Sequence, residues 1–138
     1  MKRLLFLITV FSTLIACKNE NQNSEKIDED FQVFVEKFSR DSLFQISRVK
    51  FPLAVTELDN EYESVEKKVE KYNYRKIDLR YDNSCANREL SKYIEKIKLE
   101  KNKATIEIRG IENGIMTDFY FEKRDGKWRL IGWDDSST

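Results

Sequence analysis

Phe31, Phe34, Val35 and Phe38 recur at i, i+3, i+4 and i+7, which places four apolar side chains on one stripe of a helix. The spacing predicts a helix that opens near Asp28 as its cap, with Glu29 and Asp30 in a first turn whose macrodipole favours acids. Three phenylalanines on one stripe read as core rather than as the lining of a pocket. A second, shorter helix starts at Ser39 or Asp41 and runs through Leu43, Phe44 and Ile46 to about Arg48. Pro52 biases Phe51 away from the helical region, so that helix stops before it and Leu53 to Leu58 reads as a strand.

Further along, Tyr62, Val65, Val69 and Tyr72 suit a helix, whereas the β-branched residues and the Tyr74, Ile77, Leu79, Tyr81 run suit strands. The strand reading gives a hairpin over 53–69 and a strand near 74–79, with 59–73 left open. Asp82-Asn83-Ser84 is a turn or cap. Ala86, Leu90, Tyr93, Ile94 and Ile97 then return to helical spacing and predict a helix over 85–96.

From Ala104 onward the period becomes two. Ala104, Ile106, Ile108 and Gly110 share one strand face, and Thr105, Glu107 and Arg109 share the other. Glu112-Asn113-Gly114 marks a turn. Ile115, Thr117, Phe119 and Phe121 lie opposite Met116, Asp118, Tyr120 and Glu122 on the next strand. Asp125-Gly126 supplies the positive φ of a tight hairpin, after which Trp128 and Leu130 face one way and Arg129 and Ile131 the other. One apolar face and one mixed face predict an α+β fold, with three N-terminal and central helices covering one side of a mostly antiparallel sheet.

The start of the chain has a different pattern. Met1-Lys2-Arg3 precedes a thirteen-residue apolar run, Leu4 to Ala16, too short to span about 30 Å of hydrocarbon but suited to a signal peptide. It ends in Leu14-Ile15-Ala16-Cys17, which resembles the bacterial lipobox. The resemblance implies cleavage before Cys17 and acylation of that residue, with several chains giving stable anchoring. The competing reading is an ordinary secretory signal with a chance thiol. Lys18 to Lys26 has no aromatic or aliphatic residue and reads as a disordered tether reaching about 30 Å when extended. The organisation expected is therefore a signal peptide at 1–16, lipidated cysteine and tether at 17–27, and one domain at 28–138. Lys18 is not the aspartate associated with inner-membrane retention. The expected place is the outer membrane, on either its periplasmic or its cell-surface side.

Composition removes several classes of function. The 25 basic and 25 acidic residues balance, and losing Lys2 and Arg3 leaves a slightly acidic remainder, which argues against nucleic acid as a partner. With no histidine, imidazole-based triads and the usual histidine-containing zinc sites are excluded. Asp134 and Asp135 are too few to specify a cation site, and no metal or cofactor is expected. Cys85 is left without a disulfide partner if Cys17 is acylated; a buried apolar role is favoured over a reactive thiol.

Helices first, then an antiparallel sheet ending in a Gly-Lys-Trp-x-Leu hairpin, resemble the nuclear-transport-factor-2-like superfold. The run Phe44-Gln45-x-Ser47-Arg48-x-x-Phe51-Pro52 is similar to that of Bacteroidota lipoproteins carrying the domain of unknown function numbered 4348. Phe31-x-x-Phe34-x-x-x-Phe38, Phe119-Tyr120-Phe121 and the terminal hairpin match as well. The resemblance implies a curved, cone-like sheet over residues 28–138 and, by analogy, a homodimer through the open sheet face. It transfers no catalytic residues.

Two candidate sites remain. Asp118 and Tyr120 share a strand face, where a carboxylate can take a proton and a phenol can stabilise an oxyanion, as in isomerases and dehydratases of this superfold. That face is opposite the expected core, so a solvated surface is the plainer explanation. Gln45, Ser47 and Arg48 are polar residues in an apolar, aromatic neighbourhood. Arg48 either binds an anionic or polar group or ties down a loop through a carboxylate or backbone carbonyls. The expectation is a non-catalytic module that meets the membrane through its lipidated N-terminus and binds a small molecule, glycan or envelope protein. A pocket enzyme is the alternative. A buried carboxylate with a raised pKa inside a cavity favours the enzyme, and a filled core with an exposed apolar patch favours a protein partner.

Overall fold

The protein is seen here as a computed structural model that describes residues 28–89 and 91–138. The expected signal peptide, Cys17 and tether lie outside the described residues. Helix α1 spans Phe31–Arg40 and α2 Ser42–Ser47. Six strands follow: β1 Val49–Leu58, β2 Ser64–Val69, β3 Tyr93–Leu99, β4 Lys103–Gly110, β5 Met116–Arg124 and β6 Lys127–Asp135. They form one open sheet in the order β2-β1-β6-β5-β4-β3, antiparallel except where β1 runs parallel to β6. The class is α+β, with two α-helices among the described residues where three were expected. Among the described residues no helix is long and apolar enough to cross a membrane.

The cap of α1 is Asp30, whose carboxylate accepts from the Val33 N–H at 2.9 Å, and not Asp28. Glu29 precedes that cap, and its N–H donates to the Gly126 carbonyl at 2.9 Å, which pins the approach to the β5–β6 turn. Asp41 ends α1 by donating its N–H to the Lys37 carbonyl. Its carboxylate then starts α2 by accepting from Leu43 and Phe44, both at 3.0 Å. β1 begins at Val49, earlier than expected, and Pro52 lies inside it. Proline has no N–H to give, and the ladder to β6 is interrupted between Val49 and Ala54.

The core lies where α1 meets the sheet. Phe31 packs edge-on against Trp128 and Phe121 at ring distances of 4.9 and 5.3 Å, and Phe34 and Phe38 meet Phe121 at 5.8 and 6.0 Å. Leu53, Val55, Ile106 and Leu130 complete it from the strands. Burying each such side chain stabilises by about 2 kcal/mol, so this cluster is the main reason the helix stays on the sheet.

Two expectations fail between β2 and β4. Residues 74–79 are extended but join no ladder; they form a strap across the helices. The helix expected over 85–96 is absent. A short 3₁₀ turn at Asn83–Asn87 is followed by β3, which pairs residue for residue with β4. Pairing fills every backbone bond on one side of β3, and Tyr93, Glu95 and Ile97 then alternate inward against exposed Ile94, Lys96 and Lys98. Tertiary pairing overrides the helical spacing. On β5 and β6 the expected faces hold: Phe119, Phe121, Trp128 and Leu130 are buried. A bulge at Ile131 shifts the register, pairing Phe121 with Leu130 but Phe119 with Trp133.

Candidate functional site

Gln45 and Arg48 sit at the α2–β1 junction, and their bonds are internal. Gln45 is 1% exposed. Its Nε2 donates to the Phe38 and Ile77 carbonyls, both at 2.7 Å, and its Oε1 accepts from the Tyr74 hydroxyl at 2.9 Å and the Ile77 N–H at 3.0 Å. With Ser39 Oγ accepting from the Leu79 N–H at 3.0 Å, one buried amide and one hydroxyl clip the strap to the helices. Burial of the Tyr74 phenol pushes its pKa up.

The Arg48 guanidinium grips Glu29 in a two-point pair, Nη1 to Oε2 and Nη2 to Oε1, both at 3.0 Å. Nη1 also donates to the Trp128 carbonyl at 3.1 Å, and the guanidinium lies 4.6 Å from the Phe44 ring centre. Glu29 in turn accepts the Trp128 N–H at 2.7 Å, and its carbonyl accepts the indole N–H at 2.9 Å. The geometry ties the chain entry, the α2 end and the last hairpin into one knot.

Asp118 and Tyr120 share the face of the sheet turned away from the helices, and each is engaged with a different partner. Arg109 Nη2 donates to Asp118 Oδ2 at 3.0 Å while Nη1 lies 2.6 Å from Oδ1. The hydrogens of Nη1 go to the Ile108 and Thr117 carbonyls, so Oδ1 is held by charge rather than by a directed bond. Tyr120 donates its hydroxyl to Asp134 Oδ2 at 2.6 Å. Burial, then that bond to a carboxylate, pushes its pKa up. A phenol that is harder to ionise and already donating, beside an ion-paired carboxylate, is not arranged as a base and oxyanion donor around a shared space.

A sizeable cavity lies elsewhere. A half-open groove of about 710 Å³ runs between α1, the strap and the helix-facing side of β3. Its apolar walls are Val33, Val35, Leu79 and Tyr81, and Glu95 projects into it. The volume falls within the usual range for small-molecule sites. Val33 is 68% exposed on the wall, an apolar side chain left uncovered. Glu36 pairs with Arg40 at the rim, and Arg80 pairs with Asp78. Lys37 lies over the Phe44 ring at 4.4 Å. Among the described residues no hydrogen bond or ion pair reaches the Glu95 carboxylate. Its half-burial therefore acts alone and pushes its carboxyl from 4.5 to about 6. Among the described residues no group of acids and cysteines is placed to hold a metal ion.

Glu95 is absent from the sequence-derived candidates because a helix over 85–96 puts it on the polar side. Read as a strand, Tyr93-x-Glu95-x-Ile97 places it on the inner face with two apolar neighbours. An acid in step with apolar residues at period two was the available signal.

A protein-family model matches residues 29–136. Three solved structures from Bacteroides species are similar. An NTF2-like protein from Bacteroides fragilis is 22% identical with a TM-score of 0.57; the match covers 80% of this chain and 48% of that one, about half its length. A cystatin-like protein from Bacteroides caccae is 27% identical with a TM-score of 0.58, covering 79% and 77% of the two chains. A protein from Bacteroides uniformis, solved by NMR, is 26% identical with a TM-score of 0.57, covering 77% and 76%. No curated protein matches the chain.

Proposed function

We propose that this chain, which belongs to the family whose model spans residues 29–136 and folds like the NTF2-like protein from Bacteroides fragilis, is a lipid-anchored envelope protein whose domain is a non-catalytic binding module. The groove between α1, the strap and β3 is its binding site. The observation that carries this reading is Glu95: a half-buried carboxylate facing an apolar groove with no partner among the described residues. Such a groove suits a small molecule with an apolar body and a hydrogen-bond donor or positive charge directed at Glu95. A glycan fits less well, since most of the exposed surface lining the groove is apolar.

The anchor in this proposal is Cys17, acylated after removal of residues 1–16, with residues 18–27 as tether and the outer membrane as destination. The lipobox-like Leu14-Ile15-Ala16-Cys17 supports it. Membership of the numbered family 4348, cone-like curvature of the sheet and a homodimer through the outer sheet face belong to the same proposal. The Phe44 to Pro52 run supports the first of these.

Native mass spectrometry on the mature chain, released from a bacterial envelope without detergent, tests the groove. The expected result is a retained small-molecule mass that Val33→Trp, which fills the groove, removes. A bare chain, or a mass that Val33→Trp retains, would overturn the proposal. A second reading, an isomerase or dehydratase, draws on the raised pKa of Glu95 in the cavity. Conversion of the captured compound by the wild type but not by Glu95→Gln would select it.

A further inference from the structure

Charge is distributed unevenly along the strands. β1 and β6 run together, and β4 and β5 are antiparallel neighbours, so one end of the sheet gathers the start of β1, the β3–β4 turn and the β5–β6 hairpin turn. Lys123 N–H donates to the Asn102 carbonyl at 2.9 Å, which holds the two turns side by side. This end exposes Lys50, Lys101, Lys103, Arg124, Lys127 and Arg129. Among the described residues only Arg124 of these six has an ion-pair partner, Glu122 at 2.9 Å. Lys50, Arg124 and Arg129 border one shallow depression with Glu122. Asp28, Glu100 and Asp125 are exposed acids nearby, and Leu99 stands 59% exposed beside the turn.

The opposite end is acidic. Glu57 pairs in register with Asp135, and the β1–β2 turn adds Asp59, Glu61 and Glu63. The chain enters the fold at the basic end: Asp28 pairs with Lys123 at 2.8 Å, and Glu29 bonds to Gly126. Whatever tethers the N-terminus therefore holds the basic end towards itself.

We infer that the basic end of the sheet docks on the anionic phospholipid headgroups of the membrane that carries the anchor. The identity of that membrane rests on the lipid attachment proposed above; the charge polarity does not. A negative leaflet attracts basic side chains within about a Debye length, roughly 8–10 Å. A tether of residues 18–27, about 30 Å when extended, keeps this end within reach and raises its local concentration at the surface. The acidic end is repelled from the same surface, so attraction and repulsion give one orientation. Exposed Leu99 can settle between headgroups as the cations meet phosphate.

The test uses residues 17–138 carrying Cys17→Ser, which cannot be acylated. Sedimentation is compared on vesicles of phosphatidylcholine alone and with about 30% phosphatidylglycerol. At low salt we expect about fivefold or greater enrichment on the anionic vesicles, lost in 0.5 M NaCl. Reversing Lys50→Glu, Lys103→Glu and Arg129→Glu together is expected to abolish it with an unchanged melting temperature. Should that variant not fold, Lys101→Glu in the β3–β4 turn with Lys127→Glu at the exposed start of β6 gives the same reading. Equal sedimentation on the two vesicle types, or enrichment that survives charge reversal, would overturn the inference. Retention by duplex DNA at the same salt, as strong as by the vesicles, would overturn the lipid assignment. An acyl mass at Cys17 of the cell-made protein is measured separately, so failure of the anchor and failure of the docking surface give different results.

Discussion

Arg48 and Glu29 carry opposite charges at a junction where both side chains are mostly covered, at 14% and 19% exposure. Removing one partner of such a pair leaves the other charge poorly solvated, and the cost exceeds what the pair itself contributes. Arg48→Met is expected to lower stability by about 2–3 kcal/mol in urea titrations, with Arg48→Lys intermediate because an ammonium cannot reproduce the two-point grip. A normal unfolding midpoint with altered ligand capture would instead make Arg48 a binding residue. Glu95 acts in the opposite sense. Its folded-state carboxyl titrates near 6 against 4.5 in the open chain, so the native state holds its proton more tightly. Stability from this group is therefore present below pH 4.5 and is lost as pH rises towards 6. With solvent screening of a half-exposed group, the loss is about 1 kcal/mol. Glu95→Gln is expected to recover that amount at pH 7–8 and to flatten the stability profile between pH 4.5 and 6, measured by melts across that range.

The elements differ in how much of them could be read from the sequence. Helix α1 was legible because its four apolar positions form one stripe and meet one core; only its cap was misplaced, since the Glu29 to Gly126 bond comes from residues far along the chain. The last hairpin was legible because its turn chemistry is local. Asp125 and Gly126 have φ of 51° and 74°, the left-handed pair that a two-residue turn needs. Gly126→Ala is expected to cost about 1 kcal/mol in thermal melts, since a Cβ is disfavoured at that φ and the same residue holds Glu29. β3 was illegible for the converse reason. Its sequence carries both periods, and only the partner strand decides between them. Misreading β3 also hid the groove, because the inward position of Glu95 exists only in a strand. The spacing at 74–79 suits a strand, but Gln45 and Ser39 satisfy the backbone of the strap where a ladder would have.

At the scale of the molecule, sheet order departs from chain order. Hairpin signals can announce β1 with β2 and β4 with β5, but nothing local announces that β6 returns beside β1 in parallel. The residues that make the join run from small Ala54 beside Gly132 to Val55 beside Trp133 and Glu57 beside Asp135, and share no pattern of their own. Gly132 is required there because a Cβ would come within 2.9 Å of the Ala54 carbonyl oxygen. This placement has a consequence for biogenesis. β6 follows the other five described strands in the chain, yet it lies third in the sheet, joining a hairpin made earlier to a meander made later. Until it arrives, β1 and β5 present two unpaired edges facing each other across a strand-wide gap, the kind of template that recruits other chains. The unfinished sheet would have to be shielded over that interval, and completion of a single nine-residue segment would then end the need for shielding.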